Sequence, residues 1–344
     1  MRRILCAGGL LALLCPALVE AQLPWGAFAG RPDSWYRGDE AKRVAGNVIS
    51  WQSPRGGWPK NTDTGARPFA GDPAGISGTF DNGATTGELR FLARMARVNE
   101  DDACRRASLK GLDHILEAQY PGGGWPQSHP PGAGYQRRIT FNDGCMIGLM
   151  ELLREAAASP DWAFVDAARR EAIGSSLDRG LACILRCQVR IDGRRTVWCA
   201  QHDEADCLPR PGRSYELASL CGAESAGILR YLMSLDDPGP EVVRAIHGGV
   251  QWYAAARLTG IRVAVAGGDR VVTEDPGAPP LWARFYEIGT NRPIFSGRDG
   301  VKKYAMAEIE AERRNGYAWY GTWGLAVADD YARWKDRPSG RPAE

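Results

Sequence analysis

The residues best placed to do chemistry sit in two similar acidic loops. Thr79-Phe80-Asp81-Asn82-Gly83 and Thr140-Phe141-Asn142-Asp143-Gly144 each stand just before a helical pattern. An Asp or Asn in such a place can cap a helix by accepting from its free backbone N–H groups. Two carboxylates at matching positions of a repeat, Asp81 and Asp143, can also converge on one hard cation such as Ca2+. That ion takes carboxylate, carbonyl and water oxygens. The chain has no EF-hand loop, so a calcium site here would be assembled from distant segments.

A second chemical set is cationic. Arg284, Arg292, Arg298, Arg313 and Arg314 crowd the C-terminal third, several beside aromatic residues in turn-like stretches. Surface ion pairing is one reading of such residues, most of all for Arg313 and Arg314 among glutamates. Recognition of substrate carboxylates by the planar guanidinium fork is the other. Histidine is scarce, with four in the chain. His114 falls within a helical pattern, whereas His202 lies in a tryptophan-bearing loop and is a candidate for substrate contact. Cys199-Ala200-Gln201-His202-Asp203 with Cys207 has the look of a zinc cluster, but its spacing matches neither a finger nor a ribbon. No nucleophile elbow, P-loop or dinucleotide fingerprint is present.

These residues must be held by a mainly helical frame. Leu109, Leu112, Ile115, Leu116 and Tyr120 follow helical spacing up to Pro121. Helices are also predicted over 88–98, 146–156, 165–189, 219–235, 241–256 and 317–334. Arg262 to Val265 and Val271-Val272, joined through Gly267-Gly268-Asp269, read as a small β-hairpin. Gly56-Gly57-Trp58-Pro59 recurs as Gly123-Gly124-Trp125-Pro126, 67 residues later, and Trp198 begins a degenerate third copy. Each copy is followed by a second loop: the two acidic loops, then Tyr215-Glu216. Units of about 70 residues hold two helices and their turns. Repeated units of that kind predict an α/α toroid, an incomplete helical barrel with long rim loops gathered at one end.

Composition narrows the class. Lys+Arg number 43 against 41 Asp+Glu, a net charge of +2, which excludes a broad basic surface for nucleic acid. The 44% hydrophobic content can fill a sizeable core. The surplus lies in 42 Gly, 22 Pro and 12 Trp: many turns, and aromatic bulk for a core or for stacking on a flat ligand. Met1-Arg2-Arg3, an apolar run from Ile4 to Val19 and the small residues before Gln22 read as a secretory signal over 1–21. The protein is then expected to be exported, to the periplasm or beyond the cell. One domain is expected over 22–335, with a frayed tail over 336–344. No later segment reads as a membrane span, and a monomer is expected. An odd set of cysteines remains beyond the leader, with Cys199 and Cys207 the first candidates for a disulfide.

Taken together, the ordered segments resemble the family 10 polysaccharide lyases, pectate lyases of helical toroid fold. They are Gly56-Gly57-Trp58-Pro59-Lys60-Asn61, Asp81 to Thr86, Gly124 to Gln127, Thr140 to Gly144, Trp198 to Asp203, Arg213 to Glu216, Arg292 to Gly300 and Arg313 to Tyr317. They span nearly the whole chain after the leader. The resemblance implies anti β-elimination on polygalacturonate with Ca2+, giving 4,5-unsaturated oligogalacturonates. It places calcium on Asp81 and Asp143, and the C5-proton base on Arg298. Substrate is expected at Arg284 and Arg213, with Arg210 competing for the latter role. Lys60, Trp58, Trp125 and His202 complete the expected contact set. Two other readings are a toroidal glycoside hydrolase using paired carboxylates and a non-catalytic sugar-binding protein with stacking tryptophans.

Overall fold

The computed structural model describes residues 22–337; the expected leader and the tail from 338 onward lie outside them. Among the described residues, eight helices have ten residues or more. In chain order they are α1 (Asp39–Ser50), α2 (Thr86–Asn99), α3 (Asp102–Ala118), α4 (Cys145–Ala158), α5 (Ala167–Cys187), α6 (Glu224–Met233), α7 (Pro240–Ala255) and α8 (Trp323–Trp334). They form two concentric layers. The even-numbered helices α2, α4 and α6 follow one another on the inside, and α1, α3, α5 and α7 on the outside. Helix α8 continues the inner layer by packing on α6 and α7. The protein is thus the α/α toroid that the repeat pattern predicts.

The side chains explain the two layers. Inner α4 buries Met146, Ile147, Leu149, Met150, Leu152 and Leu153, nearly all round its circumference. Outer α5 buries only a stripe at Ile173, Ser176, Gly180, Cys183, Ile184 and Cys187. A helix apolar on every side belongs inside, and one with a single apolar stripe lies at the surface. Outer helices also start with strong signals. Asp101 accepts from the N–H groups of Ala103 and Cys104, Asp166 accepts from that of Arg169, and Pro240 opens α7.

Two expected helices are shorter than their patterns. Leu220–Cys221 pairs as a strand with Phe285–Tyr286, so α6 begins only at Glu224. Tyr320–Gly321 pairs with Trp282–Ala283, so α8 begins at Trp323. Helix α1 is an element the pattern reading did not include. The hairpin forms over Ile261–Ala266 (β1) and Asp269–Glu274 (β2), with Gly267 and Gly268 both at positive φ in the turn.

One interaction repeats in every unit. The indole N–H of Trp58 donates to the Val48 carbonyl at 2.7 Å, Trp125 to Ile115 at 2.8 Å, and Trp198 to Ile184 at 2.7 Å. Each acceptor lies in the last turn of the preceding outer helix, where carbonyls have no partner within the helix. Trp282 donates to Tyr253 at 2.8 Å in the same way. The repeat therefore has four copies rather than three, and the fourth is hidden by the long insertion that carries the hairpin. Trp58 and Trp125 are completely buried. They are not stacking platforms for substrate, which corrects that expectation: their rings fill the core and their N–H groups finish helices.

Trp125→Phe keeps most of the ring but leaves the Ile115 carbonyl unpaired, at an expected cost of about 1–3 kcal/mol. Thermal unfolding should show a lower midpoint while KM for substrate stays unchanged. A raised KM with unchanged stability would instead put the indole on the ligand.

Candidate active site

Three carboxylates gather at the N-terminal ends of three successive inner helices. Asp81 precedes α2, Asp143 precedes α4, and Glu224 is the first residue of α6. The positive end of each helix dipole favours an acidic group there. The two acidic loops are built alike but carry their acids one residue apart. Asn82 has φ 54° and ψ 28°, and Asp143 has φ 52° and ψ 29°. Asp143 thus occupies the left-handed position that Asn82 fills in the first copy, while Asp81 matches Asn142. Both left-handed residues are of the kinds that tolerate this conformation, and each is followed by a glycine at positive φ.

The offset gives the two acids different surroundings. Asp81 is buried, and one oxygen accepts from the Lys60 ammonium and from the Gln127 amide at 2.6 Å. Its other oxygen, Oδ1, is buried without a hydrogen-bond partner. The Asp143 side chain is 36% exposed, accepts from Asn142, and has one oxygen 3.8 Å from Arg284. Glu224 is buried and forms an ion pair with Arg284. Burial, reinforced by the negative charges of Glu224 and Asp81, raises the Asp143 carboxyl above its ordinary range; Arg284 and Arg213 oppose the shift.

The cationic wall follows from the same geometry. Arg284 lies 4.6 Å from the ring centre of Tyr317. Arg213 packs on Tyr215 at 5.1 Å and on Tyr317 at 5.8 Å, and pairs with Glu216 at 2.5 Å. The Tyr317 hydroxyl donates to Glu216 at 2.7 Å. Arg213 keeps 37% of its side chain exposed, whereas only 10% of the Arg284 side chain is exposed. Arg210, the competitor of Arg213 for that role, pairs instead with Asp203 and Asp206.

Other expected residues lie elsewhere. Arg298 is 63% exposed and paired with Glu312 at 3.0 Å, and its backbone N–H donates to Glu310 at 2.6 Å. Glu312 and Glu310 are its polar partners, in place of Asp81, Asp143 or Glu224. His202 is wholly buried: Nδ1–H donates to the Cys207 carbonyl at 2.8 Å, and Nε2 accepts from the Cys199 N–H at 3.1 Å. It shapes a loop and does not face ligand, contrary to the expectation for substrate contact. Cys199 and Cys207 are both free thiols, so the expected bridge between them is absent. Arg314 pairs with Asp269, the bland outcome foreseen for it. Glu224, Glu216 and Tyr317 pack against Arg284 and Arg213 without having stood out as site residues in the sequence. The start of α6, not Tyr215-Glu216, is the place that corresponds to the acidic loops.

The pectic acid lyase model matches residues 52–328. The chain belongs to the pectic acid lyase family. A solved family 10 polysaccharide lyase from Cellvibrio cellulosa is 34% identical with a TM-score of 0.78, the match covering 89% of this chain and 97% of that chain. An aspartate-to-alanine variant of the same lyase, in complex with trigalacturonic acid, is 33% identical with a TM-score of 0.79, covering 90% and 97%. No curated protein matches the chain. The enzyme is a pectate lyase of polysaccharide lyase family 10, which retires the hydrolase and the non-catalytic readings.

The raised Asp143 carboxyl has a consequence for stability. Ionising it in the folded chain is unfavourable, so in metal-free buffer stability is lost as pH rises from the ordinary value of 3.8 through the raised one. Asp143→Asn removes that penalty. Melting in the presence of a chelator should show the variant more stable than wild type at neutral pH, with the gap closing in acid. A gap independent of pH would contradict the electrostatic account.

Proposed function

We propose that this enzyme is exported and, as a monomer, cleaves polygalacturonate by Ca2+-assisted anti β-elimination, with Arg213 as the C5-proton base. The observation that carries this reading is the pairing of an unbalanced acidic centre with a half-exposed guanidinium. Asp81, Asp143 and Glu224 face Lys60 and Arg284, leaving one negative charge over. Hard oxygen donors with one buried, unpartnered carboxylate oxygen suit Ca2+. Asp81 and Asp143 would hold it, with substrate and water completing the shell. When bound, it supplies positive charge for the uronate carboxylate, whose negative charge grows as the C5 proton leaves.

The protein's own groups do the rest. Arg284, fixed by Glu224 and Tyr317, adds a rigid positive charge beside Asp143. Burial favours the neutral form of Arg213, but the Glu216 carboxylate outweighs it and keeps the resting guanidinium above its ordinary range. Deprotonation is therefore the demanding step, and the rate should climb with pH across the alkaline range. Arg213 takes the C5 proton, the electron pair forms the C4–C5 double bond, and the C4–O4 bond breaks. The leaving oxygen takes a proton from water. The exposed Arg298 and Arg292 then serve as cations for neighbouring uronates of the polyanion. Arg292 lies over the Tyr304 ring at 3.9 Å, an exposed platform with a fixed charge. Among the described residues no helix is long and apolar enough to cross a membrane, which accords with a freely exported enzyme.

Incubation with polygalacturonate should give near-ultraviolet absorbance that grows with Ca2+ and stops with a chelator. Arg213→Ala should lower kcat by about 10²–10⁴-fold while trigalacturonate binding persists. Arg298→Ala should act mainly on KM. If Arg298→Ala abolished turnover and Arg213→Ala did not, the base would return to Arg298. Reducing ends formed without absorbance would overturn elimination altogether.

A further inference from the structure

Away from the acidic centre, three thiols meet where the end of α5 touches the loop after Trp198. Cys183 and Cys187 stand one turn apart on the inward face of α5, with their sulfurs 3.9 Å apart. Cys207 comes from the loop, and all three sulfurs lie within 4.8 Å of one another. We propose that Cys183, Cys187 and Cys207 form a binding site for a thiophilic divalent cation, Zn2+ being the ion whose chemistry fits. The site does not depend on the proposed reaction.

The spacing supports a metal over a covalent bond. Zinc–sulfur bonds of about 2.3 Å in a tetrahedron place sulfurs about 3.8 Å apart. A disulfide would bring two of them to about 2.0 Å. Cys207 is also aimed. It sits at φ 61°, a conformation rare outside glycine, and is pinned there from both sides. Its carbonyl accepts from the His202 imidazole at 2.8 Å, and its N–H donates to the Asp203 carbonyl at 3.1 Å. The zinc-like look of the Cys199 to Cys207 segment therefore had the right loop but the wrong partners: Cys199 bonds the Arg210 carbonyl instead.

Charge and access fit as well. Three thiolates around Zn2+ carry one net negative charge, and Arg186, which lines the same cavity as Cys207, would balance it. Uptake would displace the thiol protons to solvent. A cavity of ≈ 550 Å³ lined by Cys187 and Cys207 offers an entry path and room for water as a fourth ligand. The filled site would clip the loop to α5 a few residues before Arg213.

The test uses full-length protein, reduced and handled without oxygen, then loaded with Zn2+ or Co2+ and freed of loose metal. The proposal predicts one tightly held ion per chain and, with Co2+, thiolate-to-metal charge transfer and a tetrahedral visible band. Cys207→Ser and Cys183→Ser should lose both, while Cys104→Ser, on α3, keeps both. The cobalt spectrum of the wild type tests the site even if a variant fails to fold. Absence of the charge-transfer band, metal retention unaffected by Cys207→Ser, or a Cys207 disulfide that persists in place of metal would each overturn it.

Discussion

The hydrogen bond from a buried indole N–H to the last turn of an outer helix sets the geometry of this enzyme. Repeated at Trp58, Trp125, Trp198 and Trp282, it ends each outer helix and fixes where the next rim loop begins. The tryptophan backbone then anchors the second loop. The N–H groups of Thr79, Thr140 and Cys221 donate to the carbonyls of Trp58, Trp125 and Trp198. From those anchors it is only a few residues to Asp81, Asp143 and Glu224. A set of core contacts, each made for the sake of packing, thus brings three acids from distant parts of the chain to one place.

That place is electrostatically costly. Three carboxylates at partly dry helix ends are compensated by Lys60, Arg284 and the helix dipoles, but not fully, and Asp143 bears the excess. A site of this kind trades stability for affinity, because a bound cation relieves the repulsion. The guanidiniums are divided by burial. Arg284 is locked between Glu224 and Tyr317 and acts as a fixed charge. Arg213 shares the same aromatic wall yet remains half open, held by Glu216. Arg298 is the most exposed of the three and pairs with Glu312.

Much of this arrangement was legible in the chain. Helical periodicity and the repeated Gly-Gly-Trp-Pro segments gave the toroid, because both arise from local spacing. Asp81 and Asp143 stood out because their loops repeat. Glu224 did not, since the third copy replaces the Thr-Phe loop with a strand that pairs with a segment more than 60 residues away. The tryptophans misled in the opposite way: a repeated aromatic beside glycines has the same appearance whether it stacks on sugar or fills a core. Residue type could not separate Arg213 from Arg298 either. What divides them is which glutamate each one meets, and that is decided by tertiary packing.

The central claim is that the acidic centre holds Ca2+ together with the uronate. Titration calorimetry of Ca2+ with and without trigalacturonate tests it most directly, using wild type and Asp143→Asn. The account predicts that each ligand tightens the other's binding by the same factor in the wild type and that this coupling vanishes in the variant. Calcium binding indifferent to the trisaccharide, or coupling that survives in Asp143→Asn, would contradict it.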